Sequence, residues 1–308
     1  MADSDLPAGD EAAIAYCAVQ SNFFDRAAEM RQIITERFGS GGGVDPRRFA
    51  WDYWHVPEMF TYLRALPQVI FPEELFLAFM ARLTDWSQQR LGCRTVFAPL
   101  LNCHVHDCWH GWHADGERGP WAYVLSLTDW KERQFTGGET LIFDPQRYVS
   151  WRQSAEGRDP LFTAIAPDFN QLTVFEARLP HSVRRVEGVR EPARGRLALA
   201  GWFTDVGVVT NLPAEHEYRT ELGLIAARLK ERLIADRQSG RLVLHVRVAA
   251  DGSAPATSMT VNTLEGDPER MKAAIRETRG LFDAAPSRTA HGSWWATVPI
   301  YLDSPGAR

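Results

Sequence analysis

The sequence of this 308-residue chain predicts a mainly β fold with flanking helices and a small α+β tail. Three observations carry that reading. Before residue 92, apolar residues recur at helical spacing in two long segments. From 95 to about 203 the texture changes to short apolar runs separated by turn residues, with no helical stretch between them, which implies an antiparallel sandwich or barrel. Beyond 240 the order is strand, strand, helix, strand. At this length two domains fit, on a prior of roughly 100–200 residues each, and the boundary falls near 210–240, giving domains 1–210 and 211–308.

Taken in order, residues 1 to about 10 are small, polar and punctuated by Pro and Gly, and read as a mobile end. From 11 to 38 the apolar positions Phe23, Ala27, Met30, Ile34 and Phe38 keep helical spacing, and the glycine run at 39–43 stops the helix. Trp51-Asp52-Tyr53-Trp54 is an aromatic run expected to pack between helices and sheet, with a substrate-lining role as the alternative. A second helix covers 72–91. Pro72 suits its first turn, Leu75, Phe79, Leu83 and Trp86 form its buried stripe, and Gly92 ends it. Strands follow near 96–103, 121–127, 140–143, 172–175, 182–186 and 197–203. Gly137-Gly138 marks a turn that a side chain would obstruct. A third helix spans 213–236, with Leu222, Ile225, Ala226, Leu229 and Leu233 on one face and Gly240 beyond its end. In the tail come a strand at 242–248, a turn at Asp251-Gly252, a strand around 257–261, a helix from Pro268 with Met271, Ala274 and Ile275, and a strand at 294–302.

Composition narrows the function. With 45% hydrophobic and 24% charged residues the chain reads as soluble and globular. A net charge of -5 gives no general electrostatic reason to bind nucleic acid or an anionic membrane. Four cysteines are too few for a disulfide scaffold, and the acidic first five residues lack the basic and apolar regions of a secretory signal, so a cytoplasmic location is expected.

The chemistry concentrates around His113-Ala114-Asp115. On a strand, their i, i+2 spacing would put imidazole and carboxylate on one face. His181, after the strand-like run 172–175, is the best third ligand. Two histidines and one carboxylate on one face leave the opposite side of a metal open, a donor set suited to Fe(II). The cluster from Cys103 to His110 offers zinc-ligand types, but no second pair elsewhere completes a site. Of Arg184, Arg185, Arg190, Arg194 and Arg196, four are expected to be solvated or paired.

Six segments then appear in a telling order: Leu101-Asn102-Cys103-His104, Gly111-Trp112-His113-Ala114-Asp115, Leu127-Thr128-Asp129-Trp130, Gly137-Gly138-Glu139-Thr140-Leu141-Ile142-Phe143, His181-Ser182-Val183, and Arg196-Leu197-Ala198-Leu199-Ala200-Gly201-Trp202-Phe203. Together, over about residues 95–205, they resemble the 2-oxoglutarate- and Fe(II)-dependent dioxygenases, in particular the prolyl-hydroxylase-like group. The resemblance implies a double-stranded β-helix (jelly-roll) core, Fe(II), 2-oxoglutarate as cosubstrate, and O2. It makes His113, Asp115 and His181 the iron ligands and gives Arg196 the distal carboxylate of 2-oxoglutarate. An arginine suits that role because its planar, permanently charged fork matches a carboxylate. Arg196 would share a strand face with Ala198 and Ala200, small residues that leave room for the cosubstrate. The chain departs from the family pattern at His104, where a cosubstrate-binding Tyr is common, and in the long interval after His181, which leaves Arg190 and Arg194 as competitors of Arg196. A related branch that repairs alkylated bases carries a second Arg where this chain has Trp202, which argues against nucleic acid as substrate.

The expected activity is hydroxylation of an unactivated C–H bond, first of a peptidyl residue such as proline, with release of succinate and CO2. A free amino acid or a natural-product intermediate is the alternative substrate. From a different class, the alternative is a non-catalytic metal or 2-oxoglutarate sensor on the same fold. The tail from Arg241 to Leu302 resembles the C-terminal domain of TonB-type proteins without their membrane anchor, and implies a module for dimerisation or substrate recruitment. As all candidate ligands precede residue 205, the tail reads as removable near Gly240.

Overall fold

The computed structural model describes residues 13–38, 51–153, 161–250, 255–283 and 293–302. The expected N-terminal end, the glycine run at 39–43 and the Asp251-Gly252 turn lie outside the described residues. In chain order the elements are β1 (Cys17–Gln20), α1 (Ala27–Phe38), β2 (Asp52–Val56), β3 (Phe60–Ala65), α2 (Pro67–Ile70), α3 (Glu73–Leu91), β4 (Cys93–Val96), β5 (Leu100–His104), β6 (Trp109–His113) and β7 (Trp121–Ser126). There follow β8 (Thr140–Phe143), α4 (Pro145–Gln153), β9 (Phe162–Ile165), β10 (Leu172–Glu176), β11 (His181–Val183) and β12 (Arg196–Val206). The chain ends with β13 (Val209–Thr210), α5 (Tyr218–Ala235), β14 (Gly240–Val248), β15 (Ala256–Asn262), α6 (Pro268–Asp283) and β16 (Trp294–Leu302). Two compact units result: 16–83 with 95–204, and 1–15 with 84–94 and 205–308.

The larger unit is built on an antiparallel sheet in the order β1-β10-β7-β12-β5-β3-β6-β11-β8-β9. Between β5 and β12 the chain alternates between the two halves of that order: β5, β7, β10 and β12 lie in one, β6, β8, β9 and β11 in the other. Such winding makes a curled, double-stranded β-helix, or jelly roll, as the resemblance implied. Along β12 the alternation is plain: Leu197, Leu199 and Phe203 are fully buried, while Arg196, Ala198 and Ala200 line a cavity. Helices α1 and α3 bury Met30, Ile34, Leu75, Phe79 and Leu83, and each such side chain stabilises the fold by roughly 1.5–3 kcal/mol.

Several expectations need correction. The helix expected over 11–38 begins only at Ala27. Residues 17–20 instead form edge strand β1 on β10, with Cys17 opposite Phe175, and Asn22 at φ 52° breaks the backbone before the helix. Phe23 fits helical spacing but is buried ahead of α1. Of the aromatic run 51–54, Trp51 packs on Phe38 of α1 with ring centroids 4.8 Å apart, but the rest is not core: all five residues of β2 are exposed, Tyr53 by 66%, and Trp54 lines the cavity. The strand region is not free of helix, because α4 separates β8 from β9.

The Gly137-Gly138 turn behaves as its sequence demands. Gly137 has φ +76°, and a Cβ there would lie 1.8 Å from the carbonyl oxygen of Arg185. Gly137→Ala is therefore expected to destabilise the protein by at least about 2 kcal/mol, from left-handed strain plus backbone displacement. An unchanged denaturation midpoint would show that the turn can relax.

The smaller unit carries a four-stranded antiparallel sheet in the order β13-β16-β14-β15. As the alternation predicts, Leu242, Leu244, Val246 and Val248 face one side. There they share a core with Leu222, Ile225, Leu229 and Leu233 of α5 and Ala274, Ile275 and Phe282 of α6. The other side meets the end of α3. The hydroxyls of Thr297, Thr260 and Tyr301 donate to the carbonyls of Gln89, Arg90 and Leu91 at 3.2, 2.7 and 3.1 Å. A helix leaves its last carbonyls without internal partners, and here the tail supplies them. This changes the view of the tail as removable. A chain ending after Ser239 loses all three donors and uncovers the apolar stripe of α5, and it is expected to elute as aggregate in size-exclusion chromatography. A monodisperse truncated protein with the far-UV spectrum of an intact α3 would refute this.

Candidate active site

In the larger unit, β6 and β11 run antiparallel with His113 directly opposite His181. Asp115 lies two residues beyond the end of β6, held by its backbone N–H to the Ala177 carbonyl at 2.7 Å. It reaches His113 from a turn and not from the strand position that the spacing suggested. Nε2 of His181 is 3.4 Å from Asp115 Oδ2 and Nε2 of His113 is 3.8 Å from it. All three potential ligand atoms lie within 4.8 Å of one another, the one such group among the described residues.

The proton positions follow from the neighbours. Nδ1 of His113 lies 2.9 Å from the Gly111 carbonyl, and Nδ1 of His181 lies 2.9 Å from the Leu179 carbonyl. A carbonyl only accepts, so each Nδ1 carries a proton, and in the neutral ring each Nε2 is then a lone pair aimed at the carboxylate. Two lone pairs facing an anionic oxygen repel unless a cation lies between them, so this donor set fits a divalent metal. Burial, reinforced by His181, holds the pKa of His113 below its ordinary value. Burial works against ionisation of Asp115, but the two histidines and the Trp202 N–H, 3.2 Å from Oδ2, outweigh it and keep the carboxyl below the usual range.

A bulge aims the ligand strand. Val183 pairs with His110 where regular pairing would need residue 111, so β6 carries one extra residue. The bulge lets His110 and His113, three apart, both line the cavity, with ring centroids 4.0 Å apart and planes at 12°.

The cavity has a volume of about 770 Å³. In its wall, Arg196 opens β12 directly across from His104 on β5. Arg196 is only 2% exposed; its Nε donates to the Gly138 carbonyl at 2.7 Å and its Nη2 to Thr140 Oγ1 at 3.0 Å. A guanidinium has five N–H donors, so donors remain for a ligand. Burial pushes its pKa down to about 10, which Cys103 and Glu139 only partly offset, and an anion at the open donors would be favoured. Its competitors lie elsewhere: Arg190 is exposed, and Arg194 faces Glu191 and Gln134. Arg184 and Arg185 face Glu139 and Asp107. His104 is 2% exposed, stacks on Tyr62, and has no hydrogen-bond partner on either ring nitrogen. Burial, then Arg196 and His110, hold its pKa well below 6.5, so the ring is neutral. The zinc alternative finds no support, because among the described residues the cluster from Cys103 to His110 brings no three ligand atoms together.

Sequence reasoning missed the third side of the cavity. Phe60, Tyr62 and Arg64 of β3 all line it; Trp54 of β2 does too, in the lining role given as the alternative for the aromatic run. The alternation at 60, 62 and 64 was the available signal.

Residues 101–204 match the family model of the 2OG-Fe(II) oxygenase superfamily. No curated protein matches the chain. Among solved structures the chain is similar to a Pseudomonas putida prolyl-4-hydroxylase, at 20% identity and TM-score 0.43 over 62% of this chain and 92% of that one. It is also similar to a Trichoplax adhaerens prolyl hydroxylase solved with a peptide fragment of the hypoxia inducible factor oxygen degradation domain, at 16% identity and TM-score 0.42 over 61% and 83%. A third is EctD from S. alaskensis, at 15% identity and TM-score 0.39 over 61% and 72%. The matched segment, 101–204, contains His113, Asp115, His181 and Arg196, and it carries the likeness of this chain to the 2OG-Fe(II) oxygenase superfamily.

Proposed function

We propose that this chain is a dioxygenase that hydroxylates an unactivated C–H bond, first of all in a peptidyl residue such as proline, with His113, Asp115 and His181 holding Fe(II) and Arg196 and His104 holding 2-oxoglutarate. The observation that carries the reading is the convergence of two bare Nε2 atoms and one carboxylate on a cavity that also contains a buried arginine with unspent donors. Bound there, Fe(II) supplies the centre at which dioxygen is activated while 2-oxoglutarate is oxidised to succinate and CO2.

The protein's own contribution is placement. The Gly111 and Leu179 carbonyls fix both imidazoles with Nε2 inward, and the Trp202 N–H orients the Asp115 carboxylate. Arg196, anchored by Gly138 and Thr140, sets the depth of the cosubstrate, and Ala198 and Ala200 beside it leave the floor open. Neutral His104 accepts or donates one hydrogen bond without adding charge. A polypeptide substrate is supported by the exposed apolar surface of the β2–β3 hairpin, where Tyr53 and Met59 flank cavity-lining Trp54. A free amino acid or natural-product intermediate is the competing substrate class, and the smaller unit serves recruitment or dimerisation. Incubation with Fe(II), 2-oxoglutarate and a proline-containing peptide library should give succinate together with products heavier by one oxygen. Succinate release that no substrate stimulates would favour a sensor.

A further inference from the structure

We infer that Arg64, with Asn102 beside it, is a second anion station on the cavity floor that selects a primary substrate bearing a carboxylate, an inference that rests on the oxygenase reading of the site. The floor is laid out by strand register. Arg196 is paired with His104, and one rung along Ala198 is paired with Asn102, which in turn is paired with Arg64 on β3. Because strand side chains two apart share a face, the Arg64 rung lies next to the Arg196 rung on the same cavity wall, separate from it.

Arg64 stands apart among the cavity's cations. Arg118 lies 3.7 Å from Asp115, Arg178 is paired with buried Glu176, and Arg196 is anchored to Gly138 and Thr140. Among the described residues no carboxylate is ion-paired with Arg64, although Asp52 is its register partner on β2. One face of its guanidinium is covered by Trp54, with Cζ 3.4 Å from the ring centroid. That contact fixes the plane of the fork; Tyr62 takes one of its N–H groups, and the rest of the edge, where the other N–H groups point, is left for a ligand. Beside it Asn102 carries a buried side-chain oxygen with no hydrogen-bond partner. A partly buried cation with no anionic partner is an incomplete polar group in the sense that burial without partners costs free energy. A carboxylate completes it, both oxygens taking the Arg64 fork. The unsatisfied Asn102 Oδ1 is left to accept from an N–H or O–H of the same substrate.

The test uses matched neutral and anionic probes, N-acetyl-L-proline against N-acetyl-L-prolinamide and 3-phenylpropionate against 3-phenylpropionamide. They are titrated by ligand-observed NMR into protein loaded anaerobically with Fe(II) and 2-oxoglutarate, so that Arg196 is already occupied. The carboxylates should bind at least about tenfold more tightly than their amides. Arg64→Gln should abolish that ratio, and Arg64→Lys should keep part of it. Equal binding of acid and amide to the wild type, or an undiminished ratio in Arg64→Gln, would overturn the assignment. A loss of 2-oxoglutarate affinity in Arg64→Gln as large as the loss of probe affinity would overturn it too, by placing Arg64 in the cosubstrate site. Equilibrium dialysis of Fe(II) and 2-oxoglutarate on the same samples tests the oxygenase reading separately: absence of both would overturn that reading, whereas their binding with equal acid and amide affinities would overturn only the Arg64 assignment.

Discussion

Asp115→Ala should lower Fe(II) affinity by more than about 100-fold and abolish turnover. Replacing mere neighbours of metal ligands typically costs 10–100-fold in affinity or activity, and Asp115 is the one anionic donor in the set. Without it, two neutral imidazoles remain to hold a dication. The backbone N–H of residue 115 still reaches the Ala177 carbonyl, so the turn survives and the loss is confined to the site. Equilibrium dialysis of Fe(II) and succinate release should fall together while the melting temperature of the metal-free protein stays put. Full 2-oxoglutarate turnover by this variant would remove Asp115 from the ligand set.

The second large effect is expected at Arg196. A charge-assisted hydrogen bond to a carboxylate contributes about 1.5–3 kcal/mol, so Arg196→Ala should raise the 2-oxoglutarate requirement roughly 10- to 150-fold while Fe(II) binding is spared. The side chain also satisfies the Gly138 carbonyl, so some stability is lost as well. Arg196→Lys separates the two effects: it keeps a charge but not the planar fork, and should recover only part of the affinity. If Arg190→Ala or Arg194→Ala gave this phenotype and Arg196→Ala did not, the choice among the three arginines would be wrong.

The parts of the molecule legible in the sequence were those where local pattern and tertiary role coincide. In α3, β8 and β16 the apolar spacing, the capping glycine or proline and the burial all agree, and the elements fall within a residue or two of the reading. Residues His113, Asp115 and His181 could be gathered because their types are rare together, and Arg196 because a strand follows it. Elements that depend on distant partners were missed. Strand β1 exists through its pairing with β10, and Phe23 supplied a false helical beat. Strand β2 is exposed along its whole length, and β3 turns Phe60, Tyr62 and Arg64 to the cavity, so the signal is hidden in a half-polar, half-aromatic run. For the same reason Tyr53 and Trp54 were assigned to the core.

The extra residue in β6 has a consequence for insertions and deletions. Side chains in a strand alternate with a strict phase, and the bulge between His110 and His113 resets that phase by one step. Deleting exposed Trp112 would make the ladder to β11 regular and leave His110 and His113 two apart, still on one face. Deleting Gly111 and Trp112 together would instead make them neighbours and turn the imidazole of His113 through the sheet to its far side. The double deletion should cost as much metal affinity as replacing His113 itself, and the single one far less. In this strand, position in the count matters as much as the identity of the residue.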